Sequence, residues 1–228
     1  MTVNRRQFLQ DTARVSAAAS LALAASQNAV ARSANETVVV GVMGVNGRGS
    51  ALSKFFASNP GARVAYICDV DQRAVAKATQ IVADLQEQPP QGVADFRKIL
   101  DDKSVDVLVC AAPNHWHAPA TILGCTADKH VYVEKPCCHN PREGELMVEA
   151  ARKHNRVVTM GNQRRSYPGI QQGIEELHRG AIGDVHYSRG WYANTRGSIG
   201  TGQEVAVPSY LNYDPWQGPA PEKPFVDN

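Results

Sequence analysis

Cysteine is scarce in this chain: five residues, at 68, 110, 125, 137 and 138, in a length of 228. That is too few, and too unevenly spread, for the disulfide framework of a small secreted domain. Cys68 and Cys110 fall inside apolar runs and read as small core residues. Cys137 and Cys138 are adjacent, which disfavours both a bond between them and the spacing of a tetrahedral metal site. Excess charge is also missing. Of the 24 basic and 22 acidic residues, three and one fall within residues 1–31, so the remainder balances at 21 of each. No basic or acidic field of the kind that recruits nucleic acid or a membrane surface is present. Internal repeats are absent, and so is any paired-carboxylate pattern of an ordinary glycosidase.

The longest weakly polar run, "VSAAASLALAAS" at 15–26, is interrupted by serine and falls short of the ~20 residues that cross a bilayer. It follows a twin arginine, Arg5-Arg6 in "NRRQFLQ", and precedes a small-x-small site at Ala29-Val30-Ala31. Together these features read as a twin-arginine signal peptide over residues 1–31, which implies export to the periplasm and no stable membrane span after cleavage. That route carries folded proteins, so a bound cofactor is a natural companion.

From residue 37 onward apolar runs alternate with amphipathic stretches. Strands are predicted at 37–43, 62–69, 105–112, around 130–134 and at 156–161. Helices are predicted at 47–58, after Asp71 as N-cap, at 95–102, near 118–128 and at 141–155. "QEQPPQG" reads as a loop. Strands that are apolar throughout and separated by helices imply a doubly wound α/β domain, a parallel Rossmann-type sheet covered on both faces, over residues 35–162. Residues 163–228 read as the opening of an incomplete α+β domain, with a helix at 168–179, a strand at 184–194 and a proline-rich remainder without regular elements. One helix and one strand cannot bury a core of their own.

Three stretches carry chemistry. "VVVGVMGVNGRGSAL" is a strand, a Gly-rich turn and a helix. Gly44, Asn46, Gly47, Arg48 and Gly49 occupy the phosphate-binding turn, with Asn46 at the middle glycine position as the non-glycine residue that best tolerates left-handed backbone. Asp69 ends the next strand where an acid meets adenosine ribose hydroxyls. It would repel a 2′-phosphate, favouring NAD over NADP. "PNHWH" places Asn114, His115, Trp116 and His117 on a loop at the carboxyl edge of the sheet, as cofactor-loop residues, with a two-histidine metal site as the competing reading. "HVYVEKP" ends a strand with Glu134 and Lys135 at the same edge. A lysine beside a cationic nicotinamide can have a lowered pKa and receive the proton of a reacting hydroxyl; a solvated surface lysine is the bland alternative.

"GVMGVNGRG", "CDVD", "PNHWHAP", "HVYVEKP", "GNQRRS" and "DPWQGPAP" together resemble the glucose–fructose oxidoreductase / inositol dehydrogenase (Gfo/Idh/MocA) family, and among its members those with twin-arginine signals. The resemblance implies a sugar or polyol substrate, Lys135 between nicotinamide and substrate, and Glu134 on the nicotinamide ribose. It implies Asn162 toward the carboxamide and Arg164 or Arg165 toward substrate, and commonly pairing of two copies through the second-domain sheet. Tyr192, with Trp191, forms either a sugar-stacking face or part of the second-domain core. The family's downstream Asp/His acid–base pair follows "DPWQGPAP" and is absent from this sequence, which reads as C-terminally truncated. The expected activity is NAD-dependent oxidation of a carbinol. The rivals are NAD-assisted glycoside hydrolysis by oxidation and elimination, and a nucleotide-binding fragment without catalysis of its own.

Overall fold

The computed structural model describes residues 37–227; the signal-peptide reading of residues 1–31 lies outside them. Six strands form one sheet: β1 (Val38–Met43), β2 (Ala62–Cys68), β3 (Gln91–Val93), β4 (Val107–Cys110), β5 (His130–Glu134) and β6 (Val158–Gly161). Their order is β3-β2-β1-β4-β5-β6, every pairing parallel. This is the doubly wound Rossmann arrangement expected from the sequence. Its order reverses between β1 and β4, where such sheets open a crevice beyond the strand ends.

The strands are apolar throughout because each face meets helices. In β1, Val40 and Val42 pack with Leu52 of α1 (Arg48–Ala57) and with Ala78 and Val82 of α2 (Gln72–Ala83). Met43 faces the opposite layer. In β4 the alternation repeats: Val109 joins the first layer, Leu108 and Cys110 the second. The second layer is built by α3 (Arg97–Asp101), α4 (His117–Thr126) and α5 (Pro141–Lys153), through Ile99, Ala118, Cys125, Met147 and Ala150. Period-two alternation with both sides buried removes the polar face that would otherwise mark a strand.

Local chemistry sets the helix starts. The Asp71 carboxylate accepts the Arg73 amide at 2.8 Å, the N-cap expected from the sequence. Asn140 caps α5 by accepting from the Glu143 amide at 3.0 Å, while Glu143 reaches back to the His139 amide, with Pro141 in the first turn.

Three expectations differ. "QEQPPQG" runs into β3, a short edge strand that follows two prolines and pairs with Tyr66–Cys68. Residues 184–194 form no strand: among the described residues nothing pairs with them, and Trp191 and Tyr192 are 79% and 78% exposed. A strand exists only with a partner ladder, and their aromatic content alone does not supply one. The proline-rich remainder does hold structure. After α6 (Pro168–His178), a loop closes where Val205 donates to the Phe225 carbonyl and Gln203 to the Asp227 carboxylate, and α7 (Tyr213–Gln217) lies inside it. Tyr213 stacks on Trp216 and meets Phe225 edge-on. No helix of the described residues is long and apolar enough to cross a membrane.

Ile99 is fully buried against Gly41 of β1. Ile99→Ala is expected to cost roughly 2–5 kcal/mol by leaving a cavity at the sheet surface. Urea denaturation would read this as a lower midpoint, and an unchanged midpoint would mean that α3 does not help to hold the sheet.

Candidate active site

The carboxyl ends of β1 and β2 are joined by one side chain. Asp69, just past β2, accepts the Val45 amide at 2.7 Å on one oxygen and the Asp71 amide at 3.0 Å on the other. It therefore fixes the Gly-rich turn to the turn that opens α2. Each oxygen keeps a lone pair, so the ribose-reading role assigned from sequence stays chemically available.

The left-handed residue in the turn is Gly44, at φ +82, not Asn46, which is absent from the positive-φ positions. A Cβ at Gly44 would also collide with the backbone of Ala111 and Ala112. Gly49 is buried with its α-carbon against the Gly44 carbonyl, so the first turn of α1 can press onto the loop. Gly47, the N-cap of α1, offers no side-chain cap, unlike the Asp71 and Asn140 caps of α2 and α5, and no acid sits in the first turn of α1. Those open amides border a cavity of about 1490 Å³ that also touches Gly44, Asn46, Arg48 and Asp69. An uncapped, acid-free helix start beside a large cavity suits an anionic diphosphate, so the residues present fit a dinucleotide.

A second cluster centres on Glu134. Its carboxylate is buried at the end of β5 and meets Arg48 Nε at 2.8 Å, Gln163 Nε2 at 3.2 Å and the Lys135 amide at 3.2 Å. Burial alone pushes this carboxyl up. The Arg48, Gln163 and Lys135 hydrogen bonds outweigh that and hold it below the ordinary glutamate value of 4.5. Arg48 is raised in return, chiefly by its bond to Glu134. The cavity wall includes Arg48 but not Glu134 or Lys135, so Arg48 is the link between the nucleotide cavity and the β5 edge. Lys135 itself is exposed just beyond that edge.

The "PNHWH" loop departs from expectation. His117 is 1% exposed and turned inward, its ring nitrogens on the carbonyls of Ala112, at 2.8 Å, and Pro136. It ties the loop after β4 to the segment after Lys135 from below. His115 points the other way, to the Trp216 carbonyl at 2.8 Å, so the two histidines do not converge on one point. Trp116 lines the cavity, but its ring packs edge-on against Phe96 and its Nε1 donates to the Pro215 carbonyl at 2.8 Å. Asn114, Asn162 and Arg165 are exposed and outside the cavity wall. Tyr192 accepts from Asn194 and Arg196 within its own exposed stretch. Sequence reasoning missed Gln163, although it sits inside the quoted "GNQRRS". It also missed the cavity's outer wall of Tyr210, Tyr213 and Phe225, which no local pattern announces.

Comparison with known proteins follows the same geometry. The model of GFO_IDH_MocA, described as an oxidoreductase family with an NAD-binding Rossmann fold, matches residues 36–162. A glycosyl hydrolase family 109 protein of Saccharopolyspora erythraea is 30% identical over 171 residues, covering 73% of this chain and 37% of that protein. An inositol 2-dehydrogenase of Salmonella paratyphi B is 28% identical over 160 residues, covering 69% of this chain and 46% of that one. The solved structure of a levoglucosan dehydrogenase in complex with NADH and levoglucosan superposes with a TM-score of 0.58 at 26% identity, covering 64% of this chain and 40% of that one. The chain thus spans less than half the length of these relatives.

Because Glu134 ionises more readily folded than unfolded, its bonds contribute stability above about pH 4.5 that is lost as pH falls. Glu134→Gln should lower stability near pH 6 by about 1 kcal/mol, a modest figure because Arg48 is partly exposed. It should also flatten the acid limb as pH falls below about 4.5. Parallel urea-midpoint curves for the two proteins across that range would rule out the Glu134 cluster as the source.

Proposed function

The chain belongs to this oxidoreductase family, and on that premise we propose that it acts in an NAD-dependent oxidoreductase, exchanging a hydride with a sugar or polyol carbinol. The observation that carries this reading is the Gly-rich turn fixed by Asp69 beside a large cavity, with the buried Glu134 and exposed Lys135 at the same sheet edge. NAD, when bound, supplies the hydride acceptor.

The chain's own residues do the rest. Gly44, Asn46, Gly47 and Gly49 with the open amides of α1 receive the diphosphate, and Asp69 takes the ribose hydroxyls. Arg48, held by Glu134, sets the position of the turn, and Glu134 faces the nicotinamide ribose. Lys135 Nζ receives the proton that leaves the carbinol oxygen as the C–H bond gives up its hydride. Asn114 and Asn162 border the nicotinamide end, Trp116 walls the cavity, and His117 positions the Lys135–Pro136 segment. Arg165 and Tyr192 reach the substrate.

Export belongs to the same proposal, supported by Arg5-Arg6 and the apolar run that follows, with the periplasm as destination. So does pairing of two copies through residues 163–228, supported by the exposed Ile182, Tyr187, Trp191 and Tyr192. Catalytic groups from a longer chain, or from a partner, complete the site where this polypeptide is a fragment. A second reading, NAD-assisted glycoside hydrolysis, is supported by the relative named as a glycosyl hydrolase.

The test is NADH formation at saturating NAD over a panel of sugars and polyols, with calorimetric titration of NAD alongside. Asp69→Ala should abolish NAD binding, and Lys135→Ala should lower turnover about 10²- to 10⁴-fold. Release of a chromogenic aglycone without NADH accumulation would select the hydrolase reading. NAD binding without either reaction would leave a nucleotide-binding piece of a larger enzyme, and a folded chain that binds no NAD would end all three.

A further inference from the structure

The loop closed by residues 203–227 lands on one particular turn. The Tyr210 carbonyl accepts the Gln72 amide at 3.0 Å, the Asn212 amide donates to the Val70 carbonyl at 2.9 Å, and Leu211 bridges Asp71. This is the turn between β2 and α2 that begins with Asp69, the residue assigned to the ribose. Docking there brings the Tyr210 ring under Arg73, whose guanidinium carbon lies 3.4 Å from the ring centroid. The same guanidinium is gripped edge-on by Asp71: Nε to one oxygen at 3.1 Å and Nη2 to the other at 2.8 Å. Both Arg73 and Tyr210 line the large cavity, together with Asp69 and Asp71.

A bidentate fork and a stacked face are the two ways in which arginine binds anions and rings. A phosphate on the adenosine ribose would compete for that guanidinium, and an arginine near the end of β2 is the usual means by which such folds accept one. Here the Nε/Nη2 edge is taken by a carboxylate and one face by an aromatic ring. Two of its donors and one face are thereby held by the protein and its charge is paired with Asp71, while Asp69 presents negative charge to the ribose.

We propose that Asp71 and Tyr210 sequester Arg73, and that this restraint, together with Asp69, sets a preference for NAD over NADP. The proposal rests on the reading of the cavity as a dinucleotide site. It makes Tyr210, on a segment far from the Gly-rich turn in sequence, a specificity-determining residue. The Arg73 side chain is 63% exposed, so each of its contacts is individually weak and a single change should shift the balance.

The experiment is calorimetric titration of NAD and of NADP into the full chain and four variants, read as the ratio of the two dissociation constants. Tyr210→Ala and Asp71→Ser should each move that ratio about tenfold toward NADP. Asp71→Ser keeps a hydroxyl to cap α2, so it holds the test if Tyr210→Ala disorders the loop. Tyr210→Phe preserves the stacked ring and should keep the wild-type ratio, and adding Arg73→Ala to Tyr210→Ala should cancel the gain. Wild-type NAD binding with unchanged ratios in both Tyr210→Ala and Asp71→Ser would overturn the proposal and leave the dinucleotide reading intact. A wild-type chain that binds neither nucleotide would overturn that reading and the proposal with it.

Discussion

A carboxylate buried at the end of β5 must be compensated, and the way Glu134 is compensated organises the sheet's active edge. Removing an ion from water costs several kcal/mol unless donors replace the lost solvent. The donors here come from three chain segments: Arg48 from the turn after β1, the Lys135 amide from its own strand end, and Gln163 from the turn after β6. The adjacent strands β5 and β6 and, across β4, strand β1 are thereby held at one level. Lys135 follows directly, so the same requirement that anchors Glu134 also fixes where the lysine leaves the sheet.

Asp69 does the equivalent for the other half of the edge, through backbone amides instead of a cation. One carboxylate secures the Gly-rich turn from the β2 side and the other from the β5 side. The turn itself supplies little of its own geometry beyond the left-handed Gly44 and the close approach of Gly49. A flexible glycine loop becomes a defined cradle because two acids, at the ends of β2 and β5, restrain it. The first amides of α1 can then stay free of a side-chain cap and face the cavity.

Much of this was legible in the sequence. Uniformly apolar strands, helix caps such as Asp71, and the positions of Gly44, Asp69, Glu134 and Lys135 all follow from local residue chemistry. What was not legible depends on distant contacts. β3 is a three-residue edge strand, "QGV", with no apolar run to announce it. The aromatic stretch at 184–194 carries strand-like residues but finds no partner among the described residues. His117 reads as a loop residue and is instead buried between two carbonyls, because α4 begins one residue earlier than the pattern suggests. The docking of Trp116 onto Pro215, and of Tyr210 onto Gln72, joins segments about a hundred residues or more apart, which no periodicity encodes.

That docking has a consequence for how the molecule comes into being. Contacts between distant parts of a chain form late, because loop closure must be paid before they reward it. The β1–α1–β2 unit can assemble from neighbouring residues as soon as it leaves the ribosome. The outer wall of its cavity, made of residues 208–226, cannot exist until well after the whole sheet has been synthesised. During synthesis the nascent protein therefore passes through a stage with a complete Gly-rich cradle and an open side. Nucleotide arriving at that stage meets a shallower site than the finished protein presents.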